Sequence, residues 1–395
     1  MENLLFRCKR CLFPNTKPDL HFDENGICMA CKYTDYYHGE IDWDKRKELF
    51  YTLIERVKLS NKNSDSEYDC TIAVSGGKDS TYQTYLITEV AGLKPLLLNF
   101  EPSCPTENGK YNLQNLVNAF NCDLIQMKKS PTYRKLARIG FDVVGDHEWP
   151  NHVGCYVWPT QMACKLKIPI TFYGEPRGII GLGRWDSLIE ENVEEVTRSI
   201  VEQYTGMGGY RLSDIMQYDE SIKQQDVLPY VYPSKEEMDK FDMKVYDLGH
   251  FFPWEFQDNI RTVKEYGWKA ADTHNEGTFA NWEDIDCGFM PIHQYFKFIK
   301  FGYARATDHA AYEIRMERMT QAEAKDLIME YDWRLPRRHF QEFLDFIEIT
   351  ERYFFETVDR FANPVLFKKN KKGNFMHKWD GNLILDDIWY KSFDV

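Results

Sequence analysis

From residue 69 to residue 174, short apolar runs alternate with longer stretches in which apolar positions recur every three or four residues. Cys70-Thr71-Ile72-Ala73-Val74 and the runs at 95–100, 123–127 and 169–173 read as strands, with 95–100 apolar enough for a buried one. Between them, residues 81–90, 112–120, 131–139 and 159–166 carry helical spacing. Strands alternating with helices predict an α/β unit, a parallel sheet covered on both faces. Ligands of such sheets sit at the carboxyl ends of the strands. Here those ends are a glycine loop after the first run, Asn99-Phe100-Glu101 after the second and Gly174-Glu175-Pro176 after the fourth.

Upstream, residues 1–40 are turn-rich, 42–59 read as a helix and 60–67 as a polar loop. Beyond about residue 200 the pattern turns helical and aromatic, with helices expected at 292–301, 310–318, 321–331 and 337–360. Thr320-Gln321-Ala322-Glu323 has the form of a capping box. Three parts follow: 1–40, 41–205 and a mainly helical 206–395.

The 395 residues, 43% of them hydrophobic, suffice for real cores. A formal net charge of −13 argues against a nucleic-acid partner, which asks for a basic face. No apolar run is long enough to span a bilayer, and residues 1–10 hold no secretory signal, so no membrane insertion and a cytoplasmic address are expected.

The glycine loop reads Ser75-Gly76-Gly77-Lys78-Asp79-Ser80, between a strand and a helix. Glycines let backbone N–H groups converge on anionic oxygens, and the following helix adds its positive end. Ser75 and Ser80 supply hydroxyls and Lys78 a point charge, while Asp79 suits the helix start or a Mg²⁺ ion. The spacing is not that of a Walker A loop, because Ile72 stands where its first glycine belongs. An ordinary strand-to-helix turn would not need these six residues together.

Cys8, Cys11, Cys28 and Cys31 form two C-x-x-C pairs with sixteen residues between them. That spacing predicts a structural four-thiolate zinc site, with an iron–sulfur cluster as the competing occupant. Cys155 and Cys287 lie near other motif residues, where packing is the simpler reading.

The glycine loop resembles the PP-loop of N-type ATP pyrophosphatases, which cut ATP between its α and β phosphates. Four further segments resemble the N-acetyl sugar amidotransferases of bacterial lipopolysaccharide and nonulosonic acid biosynthesis: Cys8 to Pro18, Gly145 to Gly154, Tyr173-Gly174-Glu175, and Glu276 to Trp282 running on to Lys300–Thr307. The resemblance covers residues 6–335. It implies an adenine nucleotide alpha hydrolase-like (HUP-type) domain with an N-terminal zinc ribbon. It also implies an enzyme that turns an N-acetyl group into an acetamidino group with ATP, Mg²⁺ and ammonia. On this resemblance Ser75, Gly76, Gly77, Lys78, Asp79 and Ser80 hold pyrophosphate and Mg²⁺, and Asn99 and Phe100 line the nucleoside. Glu175, Lys300 and Arg305 join Lys78 and Asp79 in catalysis, with Lys300 and Arg305 expected on one helix face. His147 and His152, expected in a glycine-bounded loop, contact the sugar with Glu276 and Arg315. The chain shows no glutaminase of its own, so a partner glutaminase with a barrel-shaped companion, like the histidine-biosynthesis pair, is implied. Two other readings stay open: a PP-loop tRNA thiolase, which would carry a close cysteine pair in the catalytic domain and a basic RNA face, and a non-catalytic nucleotide-binding adaptor.

Overall fold

A computed structural model describes residues 5–61, 66–174 and 212–394. Five parallel strands form one sheet: β1 (Cys70–Ala73), β2 (Pro95–Phe100), β3 (Asp123–Met127), β4 (Ile170–Tyr173) and β5 (Lys244–Asp247), in the order β3-β2-β1-β4-β5. The chain builds outward from β1 on one side, then returns to place β4 on the other. The switch point therefore falls at β1, where a crevice opens at the carboxyl ends.

β2 is buried along its whole length, and its side chains alternate between two cores. Leu96, Leu98 and Phe100 join the core shared with α5 (Pro131–Val144), α6 (Trp149–Leu166) and the C-terminal helices. Leu97 joins Ile72 and Phe172 in the opposite core. That core is closed by α2 (Trp43–Asn61), α3 (Lys78–Tyr85) and α4 (Glu107–Phe120). Between β1 and β4, the buried Thr71 and Thr171 hydroxyls satisfy each other at 2.7 Å.

The N-terminal segment, with α1 (Met29–Gly39), is docked on the C-terminal helices. These are α7 (Phe256–Glu265), α8 (Met290–Phe301), α9 (Arg305–Arg315), α10 (Gln321–Tyr331), α11 (Phe340–Phe346) and α12 (Glu351–Phe361). The fully buried Arg7 donates to Ser392 Oγ at 3.0 Å and to the Leu12 carbonyl at 2.9 Å. Gln321, at the start of α10, donates to the carbonyls of Lys9 and Arg10. No helix among the described residues is long and apolar enough to cross a membrane.

Four expectations are corrected. The helix expected at 337–360 is two helices, broken where Glu348 takes a left-handed φ of 56°; the apolar spacing runs through the break and hides it. Lys300 and Arg305 do not share a helix, because Gly302 ends α8 in the left-handed conformation, φ 74°, and Arg305 opens α9. His152 lies within α6 and not in a loop: Pro150 is at the first turn of that helix, where proline is tolerated. Finally, β5 was not anticipated, its four residues being mixed polar and apolar.

Candidate active site

β1 delivers the chain into the glycine loop at the switch point. Gly76 has φ 86°, and a Cβ there would stand 2.8 Å from the Leu113 backbone nitrogen and 3.1 Å from the Gly109 carbonyl. The loop is thus pressed against the first turns of α4, an approach only glycine permits. Trp268 fixes the other side, its indole N–H donating to the Gly76 carbonyl at 3.1 Å. Ser80 Oγ accepts from the Gly76 N–H at 3.1 Å, and Ser75 Oγ accepts from the Gly77 N–H at 3.2 Å. The two hydroxyls therefore hold the N–H groups that an anionic ligand would take over. Gly76→Ala should lower stability by about 2 kcal/mol, from the left-handed φ alone, and should cost more through the backbone clash. A urea melt beside a nucleotide titration checks both effects.

Lys78 opens α3 and is 2% exposed. Its ammonium lies 2.6 Å from Asp79 Oδ2 and 3.4 Å from Glu283 Oε1. The rings of Phe256 and Trp282 flank it at 4.4 and 4.9 Å. Asp79 Oδ1 accepts from the Trp254 indole at 3.2 Å. Glu283 reaches His309 Nε2 at 3.2 Å, and His309 Nδ1 lies 3.1 Å from Thr278 Oγ1. Burial alone would raise the pKa of Glu283; Lys78, His309 and Arg305 more than offset it and hold the carboxylate well below its ordinary range.

A cavity at the carboxyl ends gathers these groups. It is lined by Ala73 and Val74 of β1, the loop from Ser75 with Gly77 to Ser80, Leu98 and Phe100 of β2, Tyr173 of β4, Cys155 and Tyr156 of α6, and residues 282–286. The run Trp282-Glu283-Asp284-Ile285-Asp286 thus faces the glycine loop across one space. α4 holds that run: the Thr106 N–H donates to the Asp286 carbonyl at 3.1 Å, and the Thr106 hydroxyl bonds the Ile285 carbonyl. Gly109 makes the approach possible, since a Cβ there would meet Asp286 Cα at 2.8 Å. Asp284 pairs with Arg305 at 3.1 Å.

Asp286 is the carboxyl group tuned upward. Burial, then the neighbouring Asp284 and Glu283 charges, push its pKa up to about 6. Below pH 6 it is neutral; above, it adds a negative charge to the cavity. Cation binding at this wall should therefore strengthen as pH rises through about 6. Stability runs the other way: the unfolded carboxyl is already ionised near pH 4, so without a cation the native state loses this contribution as pH climbs toward 6. Asp286→Asn should remove both dependences, read by Mg²⁺ titrations and thermal melts at several pH values.

The predicted residues fall into three groups. Ser75, Gly77, Lys78, Asp79, Ser80 and Phe100 line the cavity, Gly76 shapes it, and Arg305 braces its acidic wall. Asn99 spends its side chain inside the sheet, donating to the Val74 carbonyl at 2.7 Å and accepting from Gln126 at 2.8 Å. Glu276 accepts the backbone N–H groups of Arg337 and Arg338, and Arg315 bonds Thr34 beside the four cysteines. His147 packs on Phe343, ring centroids 4.6 Å apart, and Lys300 donates to the Val144 carbonyl at 3.1 Å. Glu175 lies outside the described residues. Sequence reasoning missed Glu283, Asp284, Asp286 and His309; three carboxylates within four positions after the Glu276–Trp282 segment were the available signal.

The four cysteines form a second centre. All are fully buried. Their sulfurs lie 3.8 Å (Cys8–Cys31), 3.4 Å (Cys11–Cys28) and 3.7 Å (Cys28–Cys31) apart. Four thiolates about 2.3 Å from a tetrahedral zinc would be about 3.8 Å from one another. The cluster can therefore bind zinc, and the Cys28 N–H, 3.2 Å from Cys8 Sγ, is placed to stabilise thiolate charge.

Residues 276–380 match the model of the family described as LPS biosynthesis protein WbpG-like, C-terminal domain, which relates this part of the chain to lipopolysaccharide biosynthesis. The acidic wall, His309 and Arg305 all lie in the matched segment. The chain is also similar to the uncharacterized protein MJ1599 of Methanocaldococcus jannaschii, 24% identical over 127 residues, 32% of this chain. The match spans 44% of that relative's length.

Proposed function

We propose that this protein is an ATP-dependent, AMP-forming amidotransferase that converts the N-acetyl group of a bacterial surface sugar into an acetamidino group. The observation that carries the reading is the opposition, across one cavity, of a glycine loop with a buried lysine and an acidic wall contributed by the lipopolysaccharide-related segment. The loop N–H groups, the α3 N-terminus and Lys78 suit a pyrophosphate. Asp79 and Asp286 are the carboxylates suited to hold Mg²⁺, which supplies charge neutralisation on the phosphates. Phe100 and Tyr173 give apolar wall for a nucleoside.

An acetamide carbon resists ammonia because the amide is resonance-stabilised. Attack of the acetamide oxygen on the α-phosphorus would expel pyrophosphate and leave an O-adenylyl imidate. Ammonia would then add to the carbon, and AMP would depart with the former acetyl oxygen, leaving the amidine. Each step asks the protein for alignment and charge stabilisation and not for a nucleophile. The cavity fits that demand: burial pushes the Cys155 thiol up to about 12, so it stays protonated. This also weighs against thiolation chemistry at the loop.

The test is a product assay with ATP, Mg²⁺, ammonium and a panel of N-acetylated nucleotide sugars and nonulosonic acids. AMP, pyrophosphate and a sugar lighter by the difference between O and NH are expected together from at least one acceptor. AMP with every sugar unchanged would refute amidination. In the cell, ammonia would come from a partner glutaminase.

A further inference from the structure

We propose that Asp146, His152 and His293 form a second metal site, for a divalent first-row transition ion such as Zn²⁺, at the edge of the active-site cavity. Each brings one ligand atom to within 4.8 Å of the others, from three separate elements: the turn after α5, the first turns of α6, and α8. Two imidazoles and one carboxylate are a donor set that zinc and iron(II) take in catalytic centres.

The surroundings suit a cation. His293 Nδ1 lies 2.8 Å from Asp146 Oδ1, and the Glu148 N–H donates to the same oxygen at 3.0 Å. Both contacts fall on Oδ1, which leaves Oδ2 for an ion and orients the carboxylate from behind. The turn is held rigidly: a Cβ on Gly140 would stand 2.4 Å from the Asp146 carbonyl, and one on Gly145 would meet Phe361 at 3.0 Å. The Asp146 and His293 side chains stay 22% and 19% exposed, so coordination positions remain open to an incoming oxygen. This differs from the closed four-cysteine cluster, where no position is left.

Position gives the site a use. His152 shares a face of α6 with Cys155 and Tyr156, which line the cavity one turn further on. An ion held there would take a phosphate, carboxylate or acetamide oxygen of the acceptor and polarise it. The site stands whether or not the reaction is amidination. The competing arrangement is a His293–Asp146 hydrogen bond with no ion.

Protein dialysed against a weak chelator, which leaves a tetrathiolate ion in place, would be titrated calorimetrically with Zn²⁺ and spectroscopically with Co²⁺. The proposal expects one further equivalent, whose cobalt spectrum has ligand-field bands but no thiolate charge transfer. His293→Gln and Asp146→Asn should each weaken it by at least about tenfold, with unchanged near-ultraviolet circular dichroism. His152→Gln substitutes for either variant that unfolds. No further equivalent in the wild type, or wild-type affinity in the variants, overturns the proposal. So does inorganic pyrophosphate binding that the variants lose while no metal binds.

Discussion

Lys78→Met is expected to lower AMP formation by about a thousandfold, the scale of losing a preorganised charge at a developing phosphate anion. Lys78 is the buried cation at the start of α3, boxed by Phe256 and Trp282 and held by Asp79 and Glu283. Its removal also leaves Asp79 and Glu283 without the ammonium that pairs with both, so some stability will be lost as well. The double variant Lys78→Met/Glu283→Gln separates the two effects. It should regain part of the stability and none of the activity, because neutralising Glu283 relieves one of the two carboxylates left unpaired and restores nothing at the phosphate. Lys78→Arg should not rescue, since a larger planar guanidinium does not reproduce the compact point charge that Lys78 brings to Asp79, Glu283 and the phosphate. Thermal melts and AMP release, measured on all three variants, check this.

The second large effect lies at the four cysteines. With zinc bound at the cluster, Cys8→Ser/Cys11→Ser should release it and lower Tm by on the order of 10 °C, because metal binding by such a module is folding energy for the segment that carries it. Here the loss should spread. The segment packs against Ala311 of α9, and its Arg7 reaches Ser392 near the C-terminus. Arg315, which braces α1 through Thr34 at 3.1 Å, would lose that partner's fixed position. Metal analysis with calorimetry on the double variant would check it; unchanged metal content and Tm would mean the sulfurs are only packed.

What the sequence disclosed follows from how local each signal is. The first four strands and the glycine loop were legible because β2 and β4 are buried throughout and their composition shows it. The cysteine cluster was legible because ligand spacing along the chain mirrors geometry in space. The acidic wall was not. Asp284 and Asp286 reach the loop because Gly109 of α4 has no Cβ in their way and the N-cap Thr106 holds the Ile285 and Asp286 carbonyls. That apposition joins positions about 180 residues apart, with no periodicity to announce it. His293 was missed for the same reason: on α8 it is one of several polar residues, with Gln294, Lys297 and Lys300, and only the fold brings it to Asp146. Lys300 and Arg305 were placed together because five residues suggest neighbouring turns, and Gly302 in the left-handed conformation separates them.

In the proposed reaction the acetyl oxygen of the acceptor attacks the nucleotide. An acceptor carrying a heavy oxygen isotope in its acetamide group, turned over with unlabelled ATP, Mg²⁺ and ammonium, tests it directly. The isotope is expected in AMP, bound to phosphorus, in proportion to the amidine formed. Isotope retained in the sugar while AMP accumulates, or released to water or pyrophosphate, would contradict it.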